Sequence, residues 1–397
     1  MDHNPAPVDK TFAEFFAGIG LVHLGLRPSG WECVYANDIE PKKHAMYEAE
    51  FGASPYYHVE DIWEADAVAE HMRSKPFLAT ASFPCVDLSL AGHWRGFDGE
   101  HSSTYFGFLE IIRRLHEQPP KVVMLENVYG FLTSRNGEDF RRAVLELAEL
   151  GYWMDAIVLD ARWFVPQSRP RTFVFGFHES LESPELIRRQ ASLCFSDPWV
   201  SAVNHTAAIR PDSLRALYDR FELPTGWATL PYDPPTSTEY ELIDVIDLDD
   251  DQDWWTDTDV QKHYDSMEGP SQGRVDKLIL QKATAVGAAF RRTRRGKTRC
   301  EVRFDLAGCL RTPKGGSAKQ IVVAIIDGEL RMRWMTAREY ARLQGAEDFN
   351  INVPPVQAMY GFGDAVCVPA IRWIDDNILT PLHRSHTAVA AATAASA

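Results

Sequence analysis

The amino-acid sequence predicts an α/β fold with a doubly wound sheet. Through the first 178 residues, short apolar runs alternate with segments of helical periodicity, the pattern of a mostly parallel sheet covered by helices on both faces. Two of the apolar runs end abruptly, one in Pro84-Cys85 and the next in Glu126-Asn127. Because α/β folds place their chemistry at the carboxyl ends of strands, we expect the functional site at these positions.

The predicted elements follow one another regularly as far as residue 178. Strands are predicted at residues 12–16, 32–36, 78–82, 122–125, 154–160 and 171–177, and helices at 42–51, 65–72, 104–117 and 137–150. From about residue 179 to 299 the chain is rich in Pro, Trp and Asp and has little periodicity, which indicates a separate, irregular module. Strands are predicted again at 321–327 and 330–334, and helices at 336–344 and about 365–377. Thr336 and Glu339 form a predicted capping box.

The composition favours a cytoplasmic protein. Six cysteines among 397 residues show neither a C-x-x-C pair nor zinc-ligand spacing, which indicates reduced thiols and no metal site. No apolar stretch approaches the length of a membrane span, and the first ten residues lack a hydrophobic signal core. We therefore expect no membrane partner.

The formal net charge of −15 is unevenly distributed along the chain. Residues 239–268 carry twelve acidic side chains against one lysine, whereas residues 270–345 carry seventeen Lys and Arg against six acids. The basic segment is densest in residues 290–299, FRRTRRGKTR. A basic run marks either a solvated face or a phosphate-binding surface, so charge alone leaves nucleic-acid binding open.

A glycine turn follows the first predicted strand. Gly18 and Gly20 lie there, and their missing Cβ atoms allow a ligand to approach the backbone. The next strand runs toward Asp38, about twenty residues on, a spacing that fits a carboxylate on ribose hydroxyls. Asp61, at a further strand end, is a candidate for binding an adenine amino group. This pattern predicts a nucleotide-like cofactor site, with solvated loop acids as the alternative reading of Asp38 and Asp61.

Cys85 is the candidate nucleophile. A single cysteine is more often a small buried hydrophobe, but Cys85 follows a proline at a strand end and precedes a Ser89-x-x-Gly92 loop. A catalytic thiol needs a lowered pKa or a neighbouring base. Glu126, at the end of the next strand, is the candidate acid.

The chain resembles bacterial DNA (cytosine-5)-methyltransferases in three motifs that occur in the family's order. The motifs are Pro84-Cys85, Glu126-Asn127-Val128 and Gln167-x-Arg169-x-Arg171, and the resemblance runs from about residue 11 to 379. It implies a Rossmann-like methyltransferase sheet in a catalytic domain of residues 1–178 and 329–386. It also implies a smaller, irregular target-recognition domain at 179–328. The Ala-rich tail, residues 387–397, is predicted to be disordered.

The resemblance implies S-adenosylmethionine as cofactor and S-adenosylhomocysteine as product. The predicted cofactor-binding residues are Phe16, Gly18, Gly20, Asp38, Ile39, Asp61, Ile62, Pro84, Asp364 and Val366. Among them, Asp38 would hold the ribose, Ile39 the adenine face and Asp61 the exocyclic amine. The chain departs from the family pattern at four positions, where Asp, Gly, Asn and Ser are more usual: Glu14, Leu21, Asp364 and Ala365.

The resemblance also implies the catalytic set, which comprises Cys85, Glu126, Asn127, Arg169 and Arg171. Cys85 would add to C6 of cytosine and make C5 reactive toward the sulfonium methyl, while Glu126 donates to N3. Arg171 would lie near the ring oxygen, and Arg169 would support Glu126. Asn127 would order the Cys85 loop. The acceptor of the C5 proton stays unassigned.

Double-stranded DNA is the implied substrate, and its target cytosine has to leave the stacked duplex to react. Residues 91–103 are predicted to close over it, although His101-Ser102-Ser103 stands where family members often have an arginine. Residues 310–320, LRTPKGGSAKQ, are predicted to face DNA, with an ordinary glycine loop as the alternative. The predicted DNA-binding residues are Ser89, Arg95, Gln167, Arg292, Arg294, Arg295, Arg311, Lys314 and Lys319.

Other functions stay open beside this one. A tRNA cytosine-5 methyltransferase shares the fold, but such relatives usually lack a large recognition domain and carry a Cys-Phe-Thr motif, which is absent from this sequence. A catalytically silent DNA-binding module would be favoured by loss of Cys85 or Glu126, both present here. A nicotinamide dehydrogenase would explain only the glycine turn. The preferred interpretation is a monomer on DNA, working in restriction–modification or phage defence, with cognate restriction or defence proteins as candidate partners.

Overall fold

A computed structural model describes residues 10–72, 75–84, 103–183, 185–190, 208–230, 233–294, 297–313 and 318–396. Within these ranges, the side chains at 188, 190, 292–294, 297 and 298 are not described. Several predicted site residues, namely Cys85, Ser89, Arg95, Arg295 and Lys314, lie outside the described residues, as does the loop predicted to close over the cytosine, apart from residue 103.

In the part of the chain that the structure describes, nine strands form one mixed sheet. They are β1 (Thr11–Phe15), β2 (Glu32–Asp38), β3 (Tyr57–Val59), β4 (Leu78–Ala81), β5 (Val122–Val128), β6 (Tyr152–Asp160), β7 (Pro170–His178), β8 (Arg188–Gln190) and β9 (Trp227–Thr229). Their order is β3-β2-β1-β4-β5-β7-β6-β9-β8, and the first five are mutually parallel. The winding reverses between β1 and β4, the kind of position where open α/β sheets bind ligands. The predicted doubly wound fold is confirmed.

Helices cover the sheet, and in the sequence they lie between its strands and after them. The described α-helices are α1 (Leu21–Leu26), α2 (Pro41–Phe51), α3 (Ala65–His71), α4 (Thr104–Arg114), α5 (Glu138–Ala148), α6 (Asp212–Arg220), α7 (Asp257–Asp265), α8 (Gly269–Leu280), α9 (Ala337–Leu343), α10 (Pro355–Asp364), α11 (Val368–Ile374) and α12 (Thr380–Ser396). Within the described ranges, none of them combines the length and apolar character needed to cross a membrane.

The two faces of the large sheet bury separate apolar cores. Phe12 belongs to one core and its neighbour Ala13 to the other, as the alternation of a strand requires. Every residue of β1 is buried, which fits a central strand covered on both faces. The chain's last part packs on this domain, because a Cβ on Gly25 of α1 would lie only 2.7 Å from Ile371 of α11.

A second, antiparallel sheet contains β10 (Ala285–Arg294), β11 (Lys297–Arg303), β12 (Ile321–Ile326) and β13 (Glu329–Trp334), in the order β11-β10-β12-β13. Its own small core includes Met267 and Val275, from the segment that carries α8. The capping box of Thr336 and Glu339 at the start of α9 is confirmed.

The predicted limits of the recognition domain, 179 and 328, differ from the structure at both ends. The short strands β8 and β9 extend the large sheet. At the other end, residue 328 lies inside the β12–β13 hairpin, whose turn is Asp327-Gly328 with φ values of 52° and 87°. A two-residue turn with positive φ values joins adjacent antiparallel strands, so both strands belong to the small sheet.

The tail also differs from its prediction. Residues 387–396 continue α12 instead of forming a disordered end. Alanine has the highest helix propensity of all residues, and the helix is anchored upstream by Leu382 and His386, which are buried. The composition was therefore correctly identified as Ala-rich but wrongly interpreted as disorder.

Candidate active site and nucleic-acid interface

The turn after β1 brings backbone N–H groups to the end of β2. Phe16 and Gly18 both have positive φ values, 57° and 58°. The N–H of Phe16 donates to Asn37 Oδ1 at 3.3 Å, and the N–H of Gly18 donates to Asp38 Oδ2 at 3.0 Å. The predicted turn and the predicted ribose acid therefore lie in direct contact.

The glycine at position 20 is explained by packing. Gly20 has a φ of 81°, and a Cβ on it would lie 2.6 Å from ring carbons of Tyr47 and Phe51. Two aromatic rings thus occupy the space that a side chain would need. Sequence reasoning assigned Gly20 to the cofactor, but its missing Cβ serves the contact between α1 and α2.

Glu14 is a buried acid on β1, just before the turn. Its side chain accepts backbone hydrogen bonds from Val22 and His23 near the start of α1. Burial raises the pKa of Glu14 to about 8. Its Oε2 has no hydrogen-bond partner among the described residues. The carboxyl is therefore neutral at pH 7, and it joins β1 to α1.

Asp38 lies at the centre of a small charged cluster. Asp38 is 7% exposed, and its Oδ1 accepts a hydrogen bond from the N–H of Glu40 at 3.0 Å. The ammonium of Lys43 lies 3.7 Å from Asp38 Oδ2 and 3.4 Å from Asp364 Oδ2. Lys43 escaped sequence reasoning, because no spacing rule connects it to Asp364.

The remaining predicted cofactor residues differ in exposure. Ile39 is 68% exposed, which is unusual for a large apolar side chain, whereas Ile62 is 4% exposed in the core against Gly107. Asp61 Oδ1 accepts a hydrogen bond from the N–H of Trp63, a residue that is itself 52% exposed. Exposed apolar surface beside two acids fits a bound nucleoside. Val366 is buried, while the carboxylate of Asp364 is half-exposed.

The acid at the end of β5 has a partner on β7. Arg171 Nε lies 3.0 Å from Glu126 Oε1, and both side chains are largely buried. Asn127 donates from Nδ2 to the carbonyl of Phe83 at 3.1 Å, two residues before Cys85. Glu126, Asn127 and Arg171 therefore lie close together. The residue that contacts Glu126 is Arg171, whereas Arg169 was expected to support it.

Arg169 occupies a different environment from Arg171. It is 2% exposed, and its guanidinium donates to the carbonyls of Leu310 (2.9 Å) and Gly363 (3.1 Å). It also donates to the carbonyl of Ala365. These contacts join the start of β7 to the predicted DNA-facing loop and to the end of α10. Arg169 therefore holds these segments in position.

The prediction that Gln167 binds DNA is contradicted by its burial. Gln167 is 0% exposed; its Nε2 donates to the Leu343 carbonyl at 2.6 Å, and its Oε1 accepts from the N–H of Leu310 at 3.1 Å. Both ends of the amide are used inside the protein. The first residue of the Gln-x-Arg-x-Arg motif therefore joins the segment before β7 to the end of α9 and to the loop that follows β11.

Cys309 is a second thiol at the site, and sequence reasoning missed it. Its Sγ accepts from Arg169 Nη1 at 3.4 Å and from Arg171 Nη2 at 3.8 Å. Burial would raise the pKa of Cys309, but the charges of Arg169 and Arg171 outweigh burial and lower it. Its immediate sequence, Gly308-Cys309-Leu310, contains no signal that could have revealed this contact.

The basic segment forms a hairpin with like charges opposite one another. In the β10–β11 register, Arg292 pairs with Arg299 and Arg294 with Lys297. Arg299 also forms an ion pair with Glu268 at 3.0 Å.

The described parts of loop 310–320 lie beside this sheet. Arg311 is exposed, and Lys319 Nζ lies 5.8 Å from the ring centre of Trp334 on β13. A Cβ on Gly363 would lie 2.6 Å from the Arg311 carbonyl carbon, so the loop backbone packs directly on α10.

The acidic segment of residues 239–268, which contains Trp254 and Trp255, packs on the outer part of the small sheet. The Arg333 guanidinium stacks on Trp254 at 5.0 Å, and Trp255 meets Trp334 edge-to-face at 5.1 Å. Arg333 in turn binds Glu339 at 2.8 Å. Both tryptophans therefore serve as anchors for the acidic segment.

A histidine pair lies beside Asp61. His71 Nδ1 is 2.8 Å from Glu60 Oε2, and Tyr35 donates to Glu60 Oε1 at 2.6 Å. The rings of His58 and His71 stack with centres 4.2 Å apart and planes 6° from parallel. Parallel stacked rings cannot both direct their in-plane nitrogen lone pairs at one ion. The geometry of the cluster is therefore that of side chains that hold one another in place by hydrogen bonds and ring stacking.

Comparison with known proteins identifies related sequences across the whole length. The family model for C-5 cytosine-specific DNA methylase matches residues 10–380. The type II methyltransferase M.HpaII of Haemophilus parainfluenzae is 30% identical over 393 residues, covering 96% of this chain and 92% of that protein. M.HhaI of Haemophilus parahaemolyticus is 32% identical over 171 residues, covering 43% of this chain and 50% of that protein.

Solved structures show the same fold at lower identity. The Dnmt2 methyltransferase of S. pombe is 16% identical, with a TM-score of 0.56 over 94% of this chain and 98% of that chain. A putative DNA modification methyltransferase encoded within a prophage of E. coli is 16% identical, with a TM-score of 0.53 over 94% and 99% of the two chains.

Proposed function

The chain belongs to the C-5 cytosine-specific DNA methylase family, and on that premise we propose how it acts. It is a DNA (cytosine-5)-methyltransferase, and its relatives are type II modification enzymes. We propose that it takes its methyl group from S-adenosylmethionine. The acceptor is C5 of a cytosine flipped out of a specific double-stranded sequence, and the reaction passes through a covalent bond between Cys85 and C6.

Cys85 is the proposed nucleophile. Its thiolate adds to C6, and the electrons of the C5–C6 π bond shift through the ring toward N3. Glu126 donates a proton to N3. C5, now enamine-like, forms a bond to the methyl group, whose former bonding pair stays on the donor sulfur. A base then takes the proton from C5, the thiolate is expelled from C6, and the proton at N3 returns to Glu126.

The observation that carries this proposal is the pair of Glu126 and Arg171, 3.0 Å apart beside the segment that leads into Cys85. Antiparallel pairing of β5 and β7 places Glu126 opposite Phe173 and Val128 opposite Arg171. Asn127 holds the Phe83 carbonyl. The acid is therefore fixed in orientation before substrate binds, at the strand end next to the one that precedes Cys85 in the sequence, which lowers the cost of reaching the reactive geometry.

The residues at the ends of β1 and β2 fit the cofactor. Asp38 would accept hydrogen bonds from ribose hydroxyls, Ile39 would pack on the adenine face, and Asp61 would accept from the adenine amine. S-adenosylmethionine supplies an electrophilic methyl group on a sulfonium. The left-handed turn at Phe16 and Gly18 leaves the backbone beside Asp38 open to close approach.

The small sheet is the proposed target-reading part. The opposed basic positions of β10 and β11 would bind phosphates, and Arg311 and Lys319 would lie nearer the bases. Flipping the cytosine costs a few kcal/mol of lost stacking, about the energy of several such charged contacts.

The experiment that tests the reaction compares the wild type with Cys85→Ser. Each is incubated with unmethylated genomic DNA and S-adenosylmethionine, and 5-methylcytosine is mapped by bisulfite sequencing. We expect methylation in one short motif with the wild type and none with the variant. Equal methylation by both would refute the role of Cys85, and methylation of tRNA but not DNA would refute the proposed substrate.

A further inference from the structure

Lys43 connects three parts of the predicted cofactor site. Its ammonium lies within salt-bridge distance of Asp38 at the end of β2 and of Asp364 at the end of α10. Its stem runs past the glycine turn, because a Cβ on Gly18 would lie 3.8 Å from Lys43 Cδ. The two acids are far apart in sequence, so α2 joins elements that only the fold brings together.

The position of Asp364 in the fold is unfavourable for a negatively charged side chain. Asp364 is the last residue of α10, and the C-terminal end of a helix carries partial negative charge that repels a carboxylate. Family members more often have a neutral Asn at this position. The negative charge is therefore tolerated here because a cation compensates it.

Lys43 is that cation. Burial would lower the pKa of Lys43, but the charges of Asp38 and Asp364 outweigh burial and raise it. Its side chain is 24% exposed, so water screens the interactions only in part. Lys43 therefore stays charged at neutral pH between two carboxylates that would otherwise repel each other.

From these contacts we infer that Lys43 is a positioning residue for cofactor binding, acting as a clasp between Asp38 and Asp364. The clasp holds the end of α10 against the glycine turn and keeps the Asp38 carboxylate aligned with the N–H of Gly18. This inference rests on the proposed use of S-adenosylmethionine, and it adds Lys43 to the residues proposed for cofactor binding.

Removing the ammonium leaves two facing carboxylates without their shared counterion. The site should then open, and both S-adenosylmethionine and S-adenosylhomocysteine should bind more weakly. For a partly exposed ion pair we expect a loss of roughly two- to fivefold in affinity. In kinetics, KM for the cofactor should rise while kcat changes little.

The test is calorimetric titration of S-adenosylhomocysteine into the wild type, Lys43→Met and Lys42→Met. Lys42 is the matched control, since it lies on the same helix, carries the same charge and is exposed. We expect weaker binding with Lys43→Met and wild-type binding with Lys42→Met. Thermal unfolding of all three proteins checks that the fold is kept. Lys43→Arg should restore affinity because it restores the charge.

A double-mutant cycle with Asp364→Asn separates a clasp from a general charge effect. Asn removes the repulsion that Lys43 relieves, so Lys43→Met should cost less affinity in the Asp364→Asn background than in the wild type. Equal costs in both backgrounds, or unchanged affinity of Lys43→Met, would overturn the clasp while leaving the proposed function intact. Failure of the wild type to bind the product at all would overturn both.

Discussion

Gln167, Arg169 and Arg171 belong to one short motif, yet their side chains serve different purposes. Arg171 contacts Glu126, whereas Arg169 binds backbone carbonyls of the loop near Leu310 and of the end of α10. Gln167 uses both ends of its amide inside the protein. In a regular strand, residues two apart would share a face. Strand β7 begins only at Pro170, so Gln167 and Arg169 precede it and can point elsewhere.

At this residue scale, Gln167→Ala should destabilise the protein without weakening DNA binding. The substitution leaves the Leu343 carbonyl and the Leu310 N–H buried without their partner, which costs roughly 1–3 kcal/mol for each group. Urea unfolding measures the loss of stability. The matched control is Arg311→Ala, on the exposed loop, which should weaken DNA binding and leave stability nearly unchanged. Weaker DNA binding by a fully stable Gln167→Ala protein would contradict this assignment.

At the scale of elements, β1, the glycine turn and α1 form one unit around Glu14. The acid receives backbone N–H groups of α1 while lying in the core beneath the turn. Aromatic packing of Tyr47 and Phe51 against Gly20 closes the unit from the side of α2. The turn is thus held from below and from the side, which leaves its outer side for the cofactor.

The raised pKa of Glu14 predicts a pH dependence of stability. Its pKa is about 8 in the folded protein against 4.5 for the unperturbed group, so the folded state retains a proton that the unfolded state has lost. Stability should therefore fall as pH rises from about 4.5 to about 8, by an amount on the order of 5 kcal/mol, and then level off.

Glu14→Gln should remove this dependence, because the amide stays neutral and can still accept the two backbone hydrogen bonds. The measurement is the free energy of unfolding in urea between pH 5 and 9 for the wild type, Glu14→Gln and the exposed control Glu32→Gln. We expect Glu14→Gln to exceed the wild type in stability at pH 9, and Glu32→Gln to follow the wild type. Parallel pH profiles of all three would show that Glu14 does not titrate as inferred.

At the scale of the whole molecule, the two sheets meet through the catalytic motif and α10. Arg169 donates hydrogen bonds to carbonyls on both sides of this contact, those of Leu310 and Gly363. Because Gly363 has no Cβ, the backbone at Arg311 can pack on α10. The loop predicted to read DNA is therefore in contact with the helix that ends in the cofactor clasp.

The charge distribution over the molecule predicts how salt affects DNA binding. Replacing Arg292 and Arg294 by Ala should reduce the slope of log K against log salt by about 0.9 for each phosphate that the protein no longer neutralises. Fluorescence anisotropy with duplex DNA at several salt concentrations measures the slope. Lys262→Ala with Lys277→Ala removes the same charge from α7 and α8 and should change the slope little. Equal changes in both double variants would indicate a general effect of net charge.

Much of the fold and part of the site could be predicted from the sequence. Apolar runs bounded by helical patterns determine six strands of the large sheet, and the Pro-Cys, Glu-Asn-Val and Gln-x-Arg-x-Arg motifs identify the family. These features are local, since strand periodicity and motif spacing depend on neighbouring residues. The limits of the recognition domain were missed because they depend on which strands pair. The helical tail was missed because it depends on the continuation of the helix that precedes it.

The sequence by itself determined the α/β class, the order of motifs and the acid at the end of β5. Only the tertiary structure decided which side chains of those motifs face inward. Gln167 meets Leu343, Arg169 meets Cys309, and Lys43 meets Asp364 across separations of 140 residues or more. No local propensity encodes such contacts. They arise when packing of the two sheets and of α10 brings distant charges and amides into a space where each buried polar group needs a partner.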